Sequence, residues 1–354
     1  MRVALIALSV RGAMGHYLDA LITPLTEQAE VHLFVPEHYS EKTGKATVHL
    51  FSTGSNKRDA ILRLLNPFLG LPLWQRIEKI KPDVVHLFNG EGYPWTLLWV
   101  YWANHKKLPM VVTVHDPEPH PGNLQHLINS YLGSFTVIRA SRVHIHSKSF
   151  LEKVTQQGVL PERIFIIPIG SIAERFVSHR RGDILQEDVA LFFGRLEAYK
   201  GLDLLIEAGF FLKGELRVII AGPGDIPNNI LQTIQTNPEI FELHNRYLSE
   251  AEVANLFQRA SVCVLPYRQA TQSQLPLIAA AFGVPVVATE VGGFVEDVPL
   301  VNGLLVPPGN PEALAKGIRE AIGRIPYYPK EYEFEFLAKK FVNLYDDACH
   351  NNLD

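Results

Sequence analysis

The sequence predicts an α/β protein with two Rossmann-like, doubly wound domains that face each other across a cleft. Three observations lead to this fold class. Short apolar runs of strand length alternate with periodic segments of about ten residues, a pattern typical of parallel sheets with helical crossovers. The alternation occurs in two successive series. The chain has 354 residues, 47% of them hydrophobic, which is enough for two packed cores.

The first series occupies the N-terminal half. Its apolar runs have the length of buried strands and are Val3–Ser9, Val31–Pro36, Val48–Phe51, Val84–Phe88, Val111–Val114, Val143–His146 and Ile164–Ile167. The segments with helical periodicity between them are Tyr17–Gln28, Leu73–Ile80 and Phe150–Gly158. We therefore expect a first domain over residues 1–170.

The second series begins after a break near Ile167–Ile172. Its strand candidates are Val189–Phe193, Arg217–Ala221, Ile240–Leu243, Val262–Pro266 and Val286–Thr289. Its helix candidates are Leu202–Phe211, Glu250–Ala260, Pro276–Phe282 and Pro311–Ile322. We expect a second domain over residues 171–325. Residues 326–354 then form a loop and a terminal amphipathic helix, which we expect to cross back to the first domain.

Composition and charge exclude several classes of protein. The formal net charge is −4, which argues against nucleic acid as a partner. The two cysteines, Cys263 and Cys349, lie far apart, so the sequence predicts neither a disulfide framework nor a cysteine metal cluster. The chain starts on a strand pattern rather than a signal peptide, and no apolar run reaches the roughly 18 residues that span a bilayer. We expect a cytoplasmic protein.

An aromatic stretch at Tyr93–Ala103 holds three of the four tryptophans and precedes a basic flank. Aromatic side chains beside lysines could lie at a membrane interface, which would make the protein peripheral at the cytoplasmic membrane face. The alternative is a core helix, because Trp95, Trp99 and Trp102 fall on one helical face. We favour the core helix for these side chains.

The segment Val189–Gly201 carries the strongest local indication of a ligand site. A buried strand ends at Phe193, and the chain then presents Arg195 and Lys200 in the loop before a helix. Backbone N–H groups, the helix dipole and two cations at one strand end would all favour a diphosphate. The alternative is a solvated loop with two surface cations.

A second loop in this half follows the strand that ends at Pro266 and is rich in small polar side chains. It contains Thr271, Gln272, Ser273 and Gln274. Ser273 stands three residues before Pro276, which predicts a helix N-cap with proline in the first turn. The next strand ends in Glu290 and two glycines, which predicts a further helix start suited to an anion.

In the first half, an apolar strand ends in His115 and Asp116, and His120 follows. A histidine at a strand tip can contact a sugar or handle a proton near neutral pH. A metal site built from these three side chains lacks further ligands, so we expect no metal there, and a loop-capping role is the other alternative. His144 and His146 alternate along a strand, which indicates packing or cleft residues.

The first strand is followed by a turn that contains Gly12, Gly15 and His16. Glycines before a helix let the backbone approach a ligand. The spacing G-x-x-G is not the dinucleotide fingerprint G-x-G-x-x-G, and no acidic residue follows the next strand at the expected place. A nicotinamide-dependent dehydrogenase is therefore disfavoured.

Five blocks of the second half resemble one family. They are G-R-L-E-A-Y-K-G (194–201), I-I-A-G-P-G-D (219–225), Y-L-S-E-A-E-V-A-N-L-F-Q-R-A-S-V-C-V-L-P (247–266), A-A-F-G-V-P-V-V-A-T-E-V-G-G (280–293) and N-G-L-L-V-P-P-G-N-P-E-A-L-A (302–315). In these blocks the chain resembles the GT-B glycosyltransferases, and among them the retaining "glycosyl transferases group 1" family, family 4. The blocks stand in family order over nearly the whole second half, whereas the first half matches more loosely.

The resemblance implies an enzyme that moves a hexose from a nucleotide-diphosphate sugar to a glycan, lipid-linked or small-molecule acceptor. It implies a role in polysaccharide or glycoconjugate biosynthesis. A UDP- or GDP-linked sugar would be the co-substrate, with no further cofactor and no metal. The first domain would lie on the acceptor side, and the second would bind the nucleotide-sugar.

The resemblance also implies roles for individual residues. Arg195 and Lys200 would hold the donor diphosphate and stabilise the leaving group, and His115 would be catalytic or contact the sugar. Either Arg246 or Tyr247 would lie near the base. The substrate-binding residues implied in this way are Gly12, Gly15, His16, Asp116, His120, Gly222, Gly224, Arg246, Tyr247, Thr271, Gln272, Ser273, Gln274 and Glu290.

The chain departs from the family at two positions. The family usually has two glutamates, eight positions apart, that contact the donor sugar and the ribose. Here the corresponding residues are Ala270 and Ile278, whose side chains cannot hydrogen-bond. We expect a substituted donor site, and the alternative is a non-catalytic GT-B protein that binds a nucleotide-sugar or glycan as a partner or regulatory subunit.

Overall fold

The computed structural model describes residues 1–10, 13–39, 44–52, 70–90, 93–115, 124–270 and 273–351 of the chain. The chain divides into two compact units. The N-terminal unit comprises residues 1–170 and 331–354, and the C-terminal unit comprises residues 171–330. Each unit is built on a parallel sheet with helical crossovers, so the predicted class of two Rossmann-like α/β domains is confirmed.

A seven-stranded parallel sheet forms the centre of the N-terminal unit, in the order β3-β2-β1-β4-β5-β6-β7. Its strands are β1 (Arg2–Ala7), β2 (Glu30–Pro36), β3 (Thr47–Phe51), β4 (Val84–Asn89), β5 (Met110–Val114), β6 (Arg142–Ile145) and β7 (Ile164–Ile166). The helices described between them are α1 (Ala13–Leu25), α2 (Leu71–Ile80), α3 (Pro94–His105), α4 (Leu124–Arg139) and α5 (Leu151–Gln156).

The C-terminal unit contains a six-stranded parallel sheet in the order β10-β9-β8-β11-β12-β13. Its strands are β8 (Val189–Phe193), β9 (Arg217–Ala221), β10 (Phe241–His244), β11 (Val262–Leu265), β12 (Val286–Thr289) and β13 (Leu304–Val306). Its helices are α6 (Glu174–Val177), α7 (Leu202–Phe211), α8 (Asn228–Thr236), α9 (Glu250–Arg259), α10 (Leu275–Ala281), α11 (Phe294–Leu300) and α12 (Pro311–Ala321).

The central strands of both sheets are apolar along their length because helices cover both faces of a parallel sheet. Residues 3–7 of β1 and residues 189–192 of β8 are buried. In each sheet the strand order reverses direction at one point. This point lies between β1 and β4 in the first sheet and between β8 and β11 in the second. Ligands of such sheets bind outside the carboxyl ends of the strands at this reversal, so the topology directs attention to the loops after β1, β4, β8 and β11.

The last helix, α13 (Phe334–His350), belongs to the N-terminal unit and packs against α1, β4 and β5. Its apolar stripe is buried there and consists of Phe334, Leu337, Ala338, Phe341, Leu344, Tyr345 and Ala348. The stripe has the three-and-four spacing of a helix face that covers a core. Residues distant in sequence therefore complete the interior of the N-terminal unit.

The aromatic stretch forms α3, and its tryptophans contribute to the core of the N-terminal unit. Trp95 and Trp99 are buried, and Trp102 packs against the same cluster. The Trp99 indole N–H donates to the Gly70 carbonyl at 3.0 Å. The core-helix interpretation is therefore correct for these side chains. Within the described part of the chain, no helix combines the length and apolar content needed to cross a bilayer.

Four elements of the structure were not predicted, namely α4, α6, α8 and β13. Helix α6 has four residues, none of them buried, which is too short for a helical period to be visible. Helix α8 buries only Ile234, and its apolar stripe of Ile230, Leu231 and Ile234 covers little more than one turn, which is a weak signal in sequence. Strand β13 has three residues, too few for a period of two to be visible. Helix α4 contains Gly133, Ser134 and Thr136, which have low helix propensity.

Candidate functional site

Two glycines bring the carboxyl ends of β8 and β9 into backbone contact. Gly194 follows β8 and Gly222 follows β9, with φ angles of +133° and +135°. A Cβ atom at Gly222 would collide with the carbonyl group of Gly194, so only glycine fits this approach. The Gly194 N–H donates to the Ala221 carbonyl at 2.9 Å. The loop that carries Arg195 and Lys200 is thereby fixed against the loop that follows β9.

Lys200 is the buried cation at this strand end. It lies in a 3-10 turn (Ala198–Lys200) directly before α7 and is 9% exposed. Its Nζ donates to the Tyr267 hydroxyl at 2.8 Å and lies 4.7 Å from the centroid of that ring. Burial, with a smaller contribution from the Arg195 charge, lowers the pKa of Lys200 to about 8. The ammonium group stays mostly protonated at neutral pH, and in the described residues it forms no ion pair with a carboxylate.

Arg195 is the exposed cation of the same loop. Its side chain is 65% exposed, and Nη1 lies 2.7 Å from Glu197 Oε1. Its charge contributes to the lowered pKa of Lys200. An exposed ion pair contributes little to stability, so the guanidinium can exchange Glu197 for an anionic ligand at small cost. Arg195 and Lys200 therefore lie, as predicted, in the loop between β8 and α7.

The loops after β9 and β10 meet through Gly224. Its N–H donates to Asn245 Oδ1 at 3.1 Å, and Asn245 follows β10 directly. Arg246 Nη2 lies 2.6 Å from Glu252 Oε1, and Tyr247 is 84% exposed. Gly222 and Gly224 thus lie beside the Arg195–Lys200 loop, whereas Arg246 and Tyr247 lie on the surface beyond the end of β10.

The polar loop after β11 is described from Ser273 onward, and Thr271 and Gln272 lie outside the described residues. Helix α10 starts at Leu275, and its N-cap position is Gln274 with no side-chain cap. The predicted N-cap at Ser273 was therefore wrong by one residue, because Gln274, with φ −76° and ψ −15°, is the residue that joins the helix. The Ser273 hydroxyl oxygen still accepts the Leu275 N–H at 3.3 Å.

The two positions that lack glutamate have structural roles. Ile278 is 2% exposed and packs in the core of the C-terminal unit. The Ala270 carbonyl accepts the N–H of Gly293 at 2.9 Å. Gln274 points its Oε1 to the Ile172 N–H at 3.1 Å, while its Nε2 is buried with no hydrogen-bond partner in the described part of the chain.

Helix α11 supports the loop through its first residues. Gly293 precedes α11 and forms the bond to Ala270. The Phe294 ring lies 5.0 Å from the Tyr267 ring, centroid to centroid, and is fully buried. Tyr267 is thus held between Phe294 on one side and Lys200 on the other. This arrangement links the cation after β8 to the loop after β11.

Asp297 is an acid at this loop that the sequence interpretation did not select. It lies one turn after Gly293 on α11, and its carboxylate accepts the backbone N–H of Ser273. Burial, with a smaller contribution from the neighbouring Glu296 charge, raises the pKa of Asp297 to about 7. Glu290, which was predicted for the site, is exposed, and its backbone N–H donates to the Val306 carbonyl at 2.9 Å.

In the N-terminal unit, His115 follows β5 and has both ring nitrogens engaged. Nε2 lies 2.7 Å from the Phe88 carbonyl oxygen, and Nδ1 lies 2.9 Å from His146 Nε2. Burial lowers the pKa of His115 to about 4, so the ring is neutral at neutral pH. Asp116 and His120 lie outside the described residues. Across the described ranges, no group of three His, Cys, Asp or Glu side chains could hold a metal ion.

The turn after β1 is described in part. Gly12 lies outside the described residues. Gly15 and His16, which were predicted in the turn before the helix, lie instead in the first turn of α1, and a Cβ atom at Gly15 would collide with the Val10 carbonyl oxygen. His16 is partly buried near the start of α1. These two residues lie at the carboxyl end of β1, where the strand order of the sheet reverses.

Sequence reasoning missed three residues that contact the predicted ones: Tyr267, Asp297 and His146. Tyr267 directly follows the strand-ending Pro266, and that position alone could have drawn attention to it. Asp297 is an acid in a largely apolar helix shortly after a Gly-Gly pair, which is a detectable signal. His146 was noted only as a packing or cleft residue, because nothing in the sequence shows that its ring meets His115.

Two family models match successive parts of the chain. Residues 14–175 match Glycosyltransferase Family 4, and residues 187–324 match Glycosyl transferases group 1. An uncharacterised glycosyltransferase of Methanocaldococcus jannaschii is 30% identical over 216 residues, which are 55% of this chain and 54% of that protein. A D-inositol 3-phosphate glycosyltransferase of Jonesia denitrificans is 25% identical over 68% of this chain and 63% of that protein. The matched regions thus span less than two thirds of these two relatives.

Solved structures share the fold. HepE of Anabaena, in complex with UDP, aligns over 99% of both chains with a TM-score of 0.68 and 18% identity. Complexes of the same protein with UDP and glucose and with UDP-glucose align with TM-scores of 0.65. At 18–19% identity this likeness concerns the architecture alone.

Proposed function

Because the chain belongs to the group 1 glycosyltransferases of the GT-B fold, we propose that it moves a hexose from a nucleotide-diphosphate sugar to an acceptor, with retention of configuration. Lys200 carries the proposal. It is a buried ammonium beside Arg195 at the carboxyl end of β8, where the strand order of the C-terminal sheet reverses. A cation in that position favours the diphosphate of a nucleotide-sugar.

In the proposed reaction, Arg195 and Lys200 bind the diphosphate and stabilise the charge that develops as it departs. Fixed cations in a partly water-excluded site stabilise such charge strongly because they need no rearrangement during the reaction. The hydrogen bond to Tyr267 holds the Lys200 ammonium in place before the donor arrives. We propose that these two side chains make a divalent metal unnecessary.

Retention follows if the acceptor attacks from the face on which the diphosphate leaves. The bond between the sugar C1 and the diphosphate oxygen breaks, and a bond between C1 and the acceptor oxygen forms. The acceptor proton passes to an oxygen of the departing phosphate. The chain contributes by holding that phosphate and partly neutralising its negative charge. Because the phosphate accepts the proton, no side-chain nucleophile is required.

We propose that the donor is UDP-linked, with a GDP-linked donor as the second choice. HepE, which shares the fold, has been crystallised with UDP and with UDP-glucose. The donor sugar would be held by the loop of residues 271–274, with N–H groups and hydroxyls in place of the absent glutamates. The side chain of Gln274 and the carboxylate of Asp297 add polar groups at the same loop.

We propose a glycan, a lipid-linked sugar or a small molecule as acceptor, within polysaccharide or glycoconjugate biosynthesis. The acceptor would be bound by the N-terminal unit, near Gly15, His16 and His115 at the carboxyl ends of β1 and β5. A cytoplasmic location, with peripheral contact at the membrane face, fits a lipid-linked acceptor. The chain carries no cofactor in this proposal, because the nucleotide-sugar itself supplies the activated sugar.

A second candidate is a GT-B protein that binds a nucleotide-sugar without transferring the sugar. It is favoured by Ile278, which is buried where the family has a glutamate and cannot contact a ribose. This candidate predicts donor affinity without turnover. It also predicts that variants of Lys200 lose binding with no activity to lose.

The test combines binding and turnover. Purified protein is titrated with UDP, GDP and their glucose conjugates by isothermal calorimetry, and the slow hydrolysis of each bound donor is followed without an acceptor. The enzyme proposal expects binding of at least one nucleotide and hydrolysis that persists in excess EDTA. Binding without hydrolysis, for any donor, supports the non-catalytic candidate. Hydrolysis that stops with EDTA and returns with Mn²⁺ contradicts the metal-independent mechanism.

A further inference from the structure

In the C-terminal unit, residues 266–268 of the loop after β11 lie along the 3-10 turn that carries Lys200. A Cβ atom at Gly201, which ends the turn, would collide with the Pro266 carbonyl oxygen, so the two backbones touch there. Beside this contact, the Tyr267 hydroxyl accepts a hydrogen bond from the Lys200 ammonium at 2.8 Å. The two loops are therefore in contact through backbone and side-chain atoms.

Arg268 extends this contact to the first part of the turn. Its backbone N–H donates to the Tyr199 carbonyl at 2.7 Å, and its Nη1 donates to the Ala198 carbonyl at 3.1 Å. The same guanidinium donates through Nη1 and Nη2 to the Asp203 carboxylate at 2.8 and 2.5 Å. Asp203 lies in the first turn of α7. The Arg268 side chain thus joins the 3-10 turn to the helix that follows it.

The 3-10 turn is a weak element on its own, because hydrogen bonds closed over three residues have poorer geometry than those of an α-helix. The Lys200 N–H donates to the Glu197 carbonyl at 2.9 Å, and the Gly201 N–H donates to the Ala198 carbonyl at 3.3 Å. The position of such a turn therefore depends on the groups that contact it from outside.

A fixed turn matters here because burial works against the charge of Lys200. Burial lowers the pKa of this lysine to about 8, so the ammonium would gain hydration by turning toward water on its flexible stem. The charged and titratable groups that face it are Arg195 and Glu197 of its own loop, Tyr199 of the turn and Tyr267 of the loop after β11. The buried position of the ammonium therefore depends on a backbone that does not move.

We propose that Arg268 is a positioning residue, which clamps the turn of residues 198–200 against α7 and thereby holds the Lys200 ammonium at the carboxyl end of β8. Every contact of this clamp lies within the C-terminal unit. The proposal rests on the proposed function in one respect, because the donor diphosphate is the ligand for which the ammonium is held. A cation that is fixed beforehand loses less freedom when the ligand binds, so the clamp increases affinity.

The first test measures the pKa of Lys200 without ligand, by NMR of protein labelled with ¹³C-lysine. The resonance is assigned by its absence in Lys200→Arg. In Arg268→Ala the released turn lets the ammonium reach water, and we expect its pKa to rise from about 8 toward the ordinary 10.5, by about one unit or more. Asp203→Ala should also raise it, by less, because the guanidinium keeps its bond to Ala198. Changes of opposite sign in these two variants would reveal an effect of charge alone and overturn the clamp.

Arg319→Ala is the matched control, because Arg319 forms the same kind of contacts at the other end of α7. Its Nε and Nη2 donate to Glu215 at 2.6 and 2.8 Å, and Nη2 also donates to the Phe211 carbonyl at 2.5 Å. Both ion pairs are about half exposed, so both contribute little to stability. We expect the pKa of Lys200 to be unchanged in Arg319→Ala. An equal rise in both arginine variants, or no rise in Arg268→Ala, overturns the clamp.

The second test measures the Kd for UDP at pH 7 by calorimetry. We expect Arg268→Ala to weaken binding several-fold, though less than Lys200→Ala does, and Arg319→Ala to bind UDP like the wild type. If Lys200→Ala weakens binding and Arg268→Ala does not, the positioning role is wrong and the proposed function stands. If Lys200→Ala leaves the affinity unchanged, the proposed function is contradicted instead, and the pKa values measured without ligand decide whether the clamp exists.

Discussion

The carboxyl strand ends of the two units present different chemistry on the same kind of sheet. In the C-terminal unit, Lys200 keeps its charge although it is buried, because its pKa of about 8 is still above neutral pH. In the N-terminal unit, burial removes the charge of His115, whose pKa of about 4 lies well below neutral pH. A lysine has more than three pKa units to lose before it becomes neutral, whereas a histidine has almost none. Residue type, more than fold, therefore decides that Lys200 stays charged at its strand end whereas His115 does not.

The strongest test of the comparison is removal of the permanent charge. We expect Lys200→Ala to raise the Kd for UDP at least about tenfold, since a charge-assisted hydrogen bond is worth about 1.5–3 kcal/mol. Arg195→Ala should also raise it, by about tenfold, with a smaller effect because Arg195 is exposed. Calorimetry measures both, and melting temperatures should not fall for either variant. Unchanged UDP affinity in both variants would remove these residues from the site.

The next test concerns the neutral side. We expect His115→Ala to lower kcat by about tenfold or more while changing the Kd for UDP by less, because His115 does not lie in the unit that carries Arg195 and Lys200. Steady-state kinetics and calorimetry separate the two effects. His120→Ala is the comparison variant. If it is the more damaging of the two, the wrong histidine has been selected, and if neither matters, the loop is structural.

The polar loop after β11 should show a smaller effect. We expect Thr271→Ala and Ser273→Ala each to reduce turnover several-fold, since each removes about one neutral hydrogen bond to the donor. Thr236→Ala, which changes an exposed hydroxyl on α8, is the control. A crystal structure with bound donor should place the loop within about 3.2 Å of sugar or phosphate oxygens. A loop turned away, together with wild-type turnover in the double variant, would favour the non-catalytic candidate.

The pH dependence of donor affinity sharpens the comparison further. The pKa of Lys200 is lowered to about 8, so the ammonium loses its proton as the pH rises through 8. We expect the Kd for UDP to rise several-fold between about pH 7 and pH 9. Lys200→Arg should flatten the profile because a guanidinium stays charged. Calorimetry measures the Kd across this pH range for both proteins. If the Kd rises equally steeply in the wild type and in Lys200→Arg, the pH dependence belongs to another group.

Replacement of Asp297 has the smallest expected effect, which concerns only the free energy of unfolding. Its pKa is raised to about 7, so the folded state favours the protonated form, and wild-type stability falls as the pH rises from about 4 to about 7. Asp297→Asn keeps an oxygen for the Ser273 N–H without the charge. At pH 8 it should be more stable than the wild type by about 1–3 kcal/mol, and near pH 4 the two should be similar. Urea unfolding at the two pH values measures this. A less stable variant at pH 8 would contradict the assignment.

The sequence predicted the architecture because the apolar runs and helical periods are local signals. It also located the cations Arg195 and Lys200 at a strand end, because a strand, a loop and a helix follow each other there. It could not predict that Lys200 bonds Tyr267, which lies 67 positions away, or that His146 meets His115 across 31 positions. Such contacts depend on strand register and side-chain direction, which only the folded chain fixes.

Asp297 illustrates a different limit. An acid in the sequence F-V-E-D-V is compatible with a solvated helix face, and its neighbour Glu296 has that environment. Whether the carboxylate meets water or the Ser273 N–H depends on how α11 packs against the loop after β11. The substitution of two family glutamates was visible in the sequence. The position of Asp297 shortly after a Gly-Gly pair was also visible, but its contact with the loop after β11 was not.

Helix α13 has a consequence for how the chain is made. Residues 171–330 are encoded between two pieces of the N-terminal unit, so the unit translated second can fold first. The unit translated first cannot close its core until Phe341 and Tyr345, near the end of the chain, have left the ribosome. A premature stop codon after residue 330 would therefore leave intact the unit that carries Arg195 and Lys200. It would instead prevent the N-terminal unit from closing its core, although residues 1–170 had been synthesised in full.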